Sequence, residues 1–282
     1  MYKDIPIGVM QGRLSPWYKG RYQAFPEETW KTEFQIARDL GFDCIEFIFD
    51  YEDYQRNPLF SLDGLQQVRE LADSSGVRIH SVCADYFMKA PLFAHDWDRR
   101  NKSVEILLRL LGNAAQLGIS DITIPCVDES AMKSEDNMYA FQDSMREVLP
   151  TAESCGININ LETDLPPRQF ASLVEELSHP RVKINYDIGN SASLGYDPAE
   201  EIDAYGIYIS VLHIKDRLYR GGSVRLGTGN ANFEVVFKKL REINFAGIVI
   251  MQAARAQSDR DEIGYVREQF AFLKNDLLRW WE

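Results

Sequence analysis

Four residues of metal-binding type stand at the ends of successive apolar runs in the second half of the chain. They are Glu162 after Asn160-Leu161, Asp187 after Asn185-Tyr186, His213 after Val211-Leu212, and Gln252 after Ile250-Met251. Two carboxylates, an imidazole and an amide oxygen suit Mn²⁺, Mg²⁺, Co²⁺ or Zn²⁺, and they leave coordination positions for substrate oxygens. The pattern predicts one divalent metal ion held by these four side chains.

The alternation of side chains along a strand supports a common location for these residues. Asn158 and Asn160 lie on the same strand face as Glu162, and Asn185 lies on the same face as Asp187. Taken singly, such residues have simpler explanations, because a strand-end Asp often caps a helix and a lone His is often a hydrogen-bonded core residue. Repetition at four equivalent strand ends favours a shared site.

The elements that must position these residues repeat as an amphipathic stretch, a glycine and a short run rich in β-branched residues. The glycines that precede the runs are Gly41, Gly76, Gly118, Gly156, Gly206 and Gly247, while Pro180 precedes the run that begins at Val182. A glycine after a helix takes the left-handed backbone that stops it. The third run comprises residues 79–82. With the opening run 7–11, the pattern gives eight strands alternating with helices, and therefore a parallel sheet.

Eight strand–helix units in 282 residues predict an α/β protein with one domain, a (β/α)8 TIM barrel spanning residues 1–282. Active sites of such barrels lie at the carboxyl ends of the strands, where the four polar residues fall. No Gly-x-Gly-x-x-Gly follows the first strand, so the sequence does not indicate dinucleotide binding.

The composition argues against several classes of partner. The net charge of −12 repels a phosphate backbone, so nucleic acid is not expected to bind. The first residues lack the apolar run of a signal peptide, and no later segment approaches the roughly 20 apolar residues that cross a bilayer. We therefore expect a cytoplasmic protein without a membrane partner. The four cysteines show no paired metal or redox spacing and are expected to be buried or unreactive.

The strand ends resemble those of the xylose isomerase-like TIM-barrel superfamily, and within it the sugar and sugar-phosphate epimerases and isomerases related to D-tagatose 3-epimerase and L-ribulose-5-phosphate 3-epimerase. The resemblance covers nearly the whole chain. Its most specific segments are Leu161-Glu162, Asp187-Ile188-Gly189-Asn190, His213-Ile214-Lys215-Asp216-Arg217 and Gly227-Thr228-Gly229.

The resemblance implies that a Glu, an Asp, a His and a second Glu bind the metal. The first three correspond to Glu162, Asp187 and His213, but the fourth falls on Gln252. In the epimerases that the sequence resembles, both glutamates also move protons, one on each face of the substrate carbon. An amide cannot do this, so the departure favours an isomerase over an epimerase unless Asp85 or Lys215 supplies the second acid.

Further residues near these strand ends are candidates for contact with the reacting substrate. Lys215 lies on the same strand face as His213 and could stabilise an enediolate. The candidates for substrate binding are Arg217, Arg13, Glu46 and Arg255. For Lys215 and Arg217, pairing with Asp216 or a neighbouring helix is an equally simple explanation.

Two loops carry predictions of their own. The segment 217–227 holds three arginines and three glycines, which suits either an anion site or a mobile surface loop. Trp17, Tyr18 and Tyr22 lie on a long loop after the first strand that could form a lid or a contact in a homo-oligomer.

Three functions fit the sequence. The first is a metal-dependent isomerase or epimerase of a small sugar or sugar phosphate, in which Glu162 removes a proton next to a metal-bound carbonyl and Lys215 assists. The second is a dehydratase of a polyol ketone that begins with the same proton removal. The third is a sugar-binding barrel without catalysis, which the amide at position 252 makes plausible.

Overall fold

The computed structural model describes residues 5–256 and 261–281. Eight parallel strands close into a barrel, which confirms the predicted fold. Their order around the barrel is β1-β10-β7-β6-β5-β4-β3-β2. The barrel strands are β1 (Ile7–Met10), β2 (Cys44–Ile48), β3 (Ser81–Cys83), β4 (Asp121–Cys126), β5 (Asn158–Thr163), β6 (Val182–Asp187), β7 (Ile209–Ile214) and β10 (Ile248–Met251). A two-stranded antiparallel hairpin, β8 (Asp216–Arg217) with β9 (Ser223–Val224), follows β7 and was not predicted.

Helices surround the barrel and bury their apolar faces against it. They are α1 (Trp30–Leu40), α2 (Leu62–Ser75), α3 (Tyr86–Lys89), α4 (Trp97–Ala115), α5 (Glu135–Cys155), α6 (Pro167–Leu177), α7 (Ile188–Leu194), α8 (Pro198–Tyr205), α9 (Phe233–Glu242) and α10 (Glu262–Phe272). The glycine pattern holds at Gly41, Gly76 and Gly156, where the left-handed backbone ends α1, α2 and α5. It fails at Gly206, whose φ is −55°. None of the described helices is long and apolar enough to cross a membrane.

A bulge in β7 decides which of its residues face the barrel interior. Ile184 pairs with Ile209, but Asn185 pairs with Val211, so β7 carries one extra residue, Ser210. The bulge shifts the alternation of side chains. Ser210 and His213 therefore both point inward. They are three positions apart, a spacing that would place them on opposite faces of a regular strand. The shift places His213 among the polar side chains that occupy the upper interior.

The lower interior is closed by a hydrogen-bonded polar cluster rather than by apolar side chains. The Oδ1 atom of Asp121 accepts hydrogen bonds from Asn158 Nδ2 at 3.1 Å, Asn160 Nδ2 at 3.0 Å and Ser210 Oγ at 3.0 Å. Asn160 is fully buried. Because buried polar groups must be paired, this cluster accounts for Asn158 and Asn160 without any catalytic role.

The long loop between β1 and α1 is fixed at several points. Glu33 of α1 accepts hydrogen bonds from the backbone N–H groups of Gly12 at 2.9 Å and Leu14 at 3.2 Å. Asp50, after β2, accepts one from Phe25 N at 2.7 Å. These carboxylates hold both ends of the loop against the barrel. In its middle part, the rings of Trp17 and Tyr22 lie against the guanidinium groups of Arg255 and Arg13.

Candidate active site

The carboxyl ends of β5, β6 and β7 place Glu162, Asp187 and His213 in one buried cluster, and Gln252 follows β10 beside β7. Their side chains are almost enclosed, with residue exposures of 6 %, 3 %, 0 % and 5 % in that order. Burial of this kind is unfavourable for charged groups unless each has a partner. The partners therefore show what each group is arranged to do.

Two amides hold the carboxylate of Glu162. Asn190 Nδ2 donates to its Oε1 at 2.6 Å, and Asn185 Nδ2 donates to its Oε2 at 2.9 Å. Burial, and then the nearby Asp187 carboxylate, raise the pKa of Glu162 to about 7. A carboxyl with a pKa near neutrality is suited to both removing and returning a proton.

Lys215 pairs with Asp187 inside the cluster. Its Nζ atom lies 3.1 Å from Asp187 Oδ2 and 3.1 Å from Asn190 Oδ1. Gly189 makes this approach possible, because a Cβ there would lie 2.7 Å from Lys215 Cγ. Burial disfavours both charges, but the attraction between Lys215 and Asp187 outweighs it, so the pKa of Lys215 is raised and that of Asp187 is lowered.

His213 has a carboxylate on one side of its ring and the rest of the cluster on the other. Its Nε2 atom lies 2.7 Å from Oε2 of Glu46, and both residues are fully buried. Its Nδ1 atom lies 3.1 Å from Asn185 Nδ2 and 3.9 Å from Asp187 Oδ2. Burial alone would lower the pKa of His213, but the carboxylates of Glu46 and Asp187 raise it to about 10. Glu46 is thus enclosed against His213 rather than open to a substrate.

Gln252 belongs to a row of polar side chains that runs away from the cluster. Its Nε2 atom donates to Gln23 Oε1 at 3.0 Å, and Gln23 Nε2 donates to Asp85 Oδ2 at 2.9 Å. The Oε1 atom of Gln252 is buried and has no hydrogen-bond partner in the described part of the chain. A buried acceptor without a donor is unfavourable and indicates a place where a ligand could bind.

The hairpin after β7 uses its own carboxylate in place of an external anion. Asp216 accepts hydrogen bonds from the backbone N–H groups of Gly227 at 2.9 Å, Gly229 at 2.8 Å and Ala231 at 3.0 Å. Within the segment 217–227, the amide of Gly227 is therefore taken by Asp216, and the amide of Gly221 donates to the carbonyl of Leu218 at 2.8 Å. An anion site on this segment stays a prediction.

Arg217 of the hairpin reaches the cluster from its rim. Its Nη1 atom donates to Asn190 Oδ1 at 2.8 Å, and its Nε atom donates to the carbonyl of Gly221 at 3.0 Å. Asn190 thus connects Arg217 with Glu162 and Lys215. The side chain of Arg217 is 19 % exposed, which leaves it accessible to a substrate group at the rim.

Arg13 and Arg255 are already satisfied by protein groups. Arg13 is 1 % exposed and donates to the carbonyl of Ala253 at 3.0 Å and to Gln23 Oε1 at 3.1 Å. Arg255 is 8 % exposed and pairs with Glu262 at 3.0 Å. Both guanidinium groups are bonded to protein groups in this structure, and a direct contact of either with a substrate stays a prediction.

The sequence model of the xylose isomerase-like TIM barrel family matches residues 34–276. The chain belongs to this family. The match includes all four predicted ligand positions, Glu162, Asp187, His213 and Gln252.

Several proteins resemble this xylose isomerase-like barrel over almost its whole length. L-ribulose-5-phosphate 3-epimerase UlaE of Salmonella heidelberg (strain SL476) is 24 % identical over 279 residues, which cover 94 % of each chain. The structure of L-ribulose 3-epimerase has a TM-score of 0.76 and 17 % identity, and covers 98 % of this chain and 95 % of that one. The apo structure of 3-keto-D-glucoside 4-epimerase, YcjR, from E. coli has a TM-score of 0.74 and 20 % identity, and covers 96 % and 99 %.

The donor groups of this xylose isomerase-like barrel can be compared with the needs of a divalent ion. Among residues 5–256 and 261–281, no three His, Cys, Asp or Glu side chains are grouped so as to hold one. The types of donor nevertheless fit, since the Glu46 contact turns His213 Nδ1 towards Asp187, and Gln252 Oε1 lacks a partner. Because Lys215 and two amides take the carboxylate oxygens, an ion would have to displace some of these bonds.

Sequence reasoning missed some residues of the site. Asn185 was recognised only as an inward-facing residue, and Asn190 only as part of a family segment, yet each donates to Glu162. Gln23 was not recognised at all, because it lies in a loop without periodicity. Its distance of 229 residues from Gln252 along the chain leaves no local signal.

Proposed function

We propose that this chain is a divalent-metal-dependent epimerase that inverts the carbon next to the carbonyl of a ketose or ketose phosphate. The relatives and structural neighbours named above are epimerases, which supports this reaction type. The observation that carries the proposal is Glu162, a buried carboxyl with a pKa raised to about 7 that two amides orient within a cluster of ligand-type groups.

Glu162, Asp187, His213 and Gln252 would hold the metal, with Gln252 contributing its unpaired Oε1 atom. A bound divalent ion would polarise the substrate carbonyl and acidify the neighbouring C–H group. The Glu46 carboxylate beside Nε2 of His213 favours a proton on that nitrogen, and His213 would release the proton on Nδ1 when it binds the metal. Asn185 and Asn190 fix the direction from which Glu162 approaches the substrate.

Lys215 contributes positive charge to the same space. Its ammonium group stays charged because the attraction of Asp187 outweighs burial. It can therefore stabilise the negative oxygen that develops when Glu162 removes the proton. Arg217, at the rim, would bind a hydroxyl or phosphate group of the substrate.

Aldose–ketose isomerisation is the second candidate, and Gln252 is the observation that favours it. One base can lift a proton and return it to the neighbouring carbon, whereas inversion requires a second acid on the opposite face. A carboxamide neither gives up nor takes up a proton near neutral pH, so Gln252 does not supply that acid.

The test is proton NMR in D2O with a panel of ketoses and ketose phosphates, each with Mn²⁺, Mg²⁺, Co²⁺ or Zn²⁺ and with chelator. We expect exchange of the proton next to the carbonyl and an inverted product, both lost with chelator. Glu162→Gln should reduce exchange by about 10²- to 10⁴-fold. Glu153→Gln, which changes an exposed glutamate of α5, is the control and should exchange at the wild-type rate.

Each other result contradicts the proposal in a defined way. An aldose product would assign isomerisation, and a dehydrated product would assign a lyase. Binding of a sugar without exchange of any proton would assign a barrel that binds without catalysis.

A further inference from the structure

Asp85 stands on the side of the site opposite His213 and Lys215. Around the closed barrel, β3 and β7 are separated by four places in either direction. Asp85 follows β3 by two residues and continues the alternation of Ser81 and Cys83. Its carboxyl therefore meets the upper interior from across the barrel, away from the Lys215–Asp187 pair.

A single side chain connects Asp85 with the strand end that lacks a carboxylate. Gln23 accepts from Gln252 Nε2 at 3.0 Å and donates to Asp85 Oδ2 at 2.9 Å. Arg13 donates to the same Gln23 oxygen at 3.1 Å and so fixes this amide. The carboxyl group of Asp85 is thus linked, through the side chain of Gln23 alone, to the strand end where Gln252 provides only an amide.

We propose that Asp85 is the second proton donor of the reaction and takes the part that Gln252 cannot perform. The proposal rests on the epimerase function proposed above. Glu162 removes the proton from the substrate carbon, and the C–H electron pair forms the enediolate. Asp85 then transfers its own proton to the opposite face of that carbon, which leaves Asp85 ionised and Glu162 protonated. Exchange with solvent resets both groups.

The surroundings of Asp85 raise its affinity for the proton that this step needs. Burial raises the pKa of Asp85, and the Glu46 carboxylate acts in the same direction, while the hydrogen bond from Gln23, the contact with Cys83 and the charge of Arg13 oppose it. Cys83 Sγ lies 3.2 Å from the other carboxyl oxygen. Asp85 has no salt bridge with any residue that the structure describes.

The test measures proton exchange and inversion separately, by proton NMR in D2O. Asp85→Asn should keep exchange at the substrate carbon within about threefold of wild type, because Glu162 still removes the proton. The inverted product should fall by roughly 10²- to 10⁴-fold. Asp50→Asn is the matched control, since it changes another carboxyl with a raised pKa, which holds the β1–α1 loop through Phe25 N rather than through Gln23. It should keep the wild-type ratio of inversion to exchange.

Two results would overturn the proposal. One is a variant Asp85→Asn that inverts at the wild-type rate, and the other is an equal fall of exchange and inversion. The double variant Asp85→Asn with Gln252→Glu should regain inversion, because it restores a carboxyl at the end of β10, and this guards against simple loss of fold. Wild-type protein that exchanges no proton from any sugar would instead defeat the epimerase proposal itself.

Discussion

The Nε2 atom of His213 lies 2.7 Å from Oε2 of Glu46, and neither residue is exposed to solvent. The pair joins β7 to β2 across the interior, since these strands are three places apart around the barrel. A carboxylate beside a ring nitrogen of a buried histidine favours the protonated ring and restricts its orientation. The contact therefore determines how the site presents His213.

Glu46→Gln should destabilise the fold by about 3–5 kcal/mol, because it removes the nearer of the two carboxylates that pair with the buried His213. Urea unfolding followed by circular dichroism would measure the loss. The double variant with His213→Gln should lose much less than the sum of the two single variants, since the cost arises from an unpaired charge. Additive losses would show that the two residues are not coupled.

Gln252→Glu should tighten the binding of Mn²⁺ by roughly 10- to 100-fold, because affinity for such ions rises with the charge of the ligand set. Titration calorimetry of chelator-treated protein would measure the change. Gln252→Ala removes the unpaired oxygen and should weaken binding instead. Equal affinity in all three proteins would remove residue 252 from the ligand set.

Arg217→Ala should raise KM for a phosphorylated ketose by about 10- to 150-fold and should affect the unphosphorylated sugar far less, since a charge-assisted contact contributes roughly 1.5–3 kcal/mol. Steady-state kinetics with the matched pair of substrates would test this. Arg225→Ala is the control, because the Arg225 side chain is half exposed and makes only a long ion pair, of 3.8 Å, with Glu268. Equal effects of Arg217→Ala on the two substrates would exclude a role in binding phosphate.

Glu33 should make stability depend on pH. Burial raises the pKa of Glu33 to about 7 in the folded protein, against an ordinary value of 4.5. A raised folded pKa means that the native state binds the proton more tightly. The contribution is complete below about pH 4.5 and is lost as pH rises through about 7, a change on the order of 3 kcal/mol.

Unfolding free energies between pH 4.5 and 8 for the wild type and Glu33→Gln would show this contribution. The unfolding free energy of Glu33→Gln, relative to that of the wild type, should increase as pH rises, because the variant has no proton to lose at this position. Parallel curves would show that the backbone N–H groups of Gly12 and Leu14 keep the pKa of Glu33 near its ordinary value.

The barrel could be predicted from the sequence because its signals are local. The opening run 7–11 and the run that begins at Val182 form strands where the pattern placed them. The third strand lies at Ser81–Cys83 rather than at 79–82, since strand bounds depend on the pairing of neighbours. The extra residue Ser210 in β7 has no local signature at all.

The site could be predicted only as far as strand alternation reaches. Alternation brought Glu162 and Asp187 to the same end of the barrel, but it could not show that Lys215 pairs with Asp187. It also could not show that Asp216 accepts hydrogen bonds from Gly227 and Gly229, which follow the hairpin. Such contacts depend on how loops fold back over the barrel, which the spacing of residues along the chain does not encode.

The seam between the first and last strands has a consequence for the order of folding. β1 pairs with β10, and Arg13 bonds to the carbonyl of Ala253, 240 residues away. Contacts this distant in sequence form late, because closing so long a loop costs conformational entropy before the contact can contribute stability. Gln23 and Gln252 meet across the same seam. A refolding chain should therefore regain helical circular dichroism before it regains activity, and the return of enzymatic turnover would time the closure of the barrel.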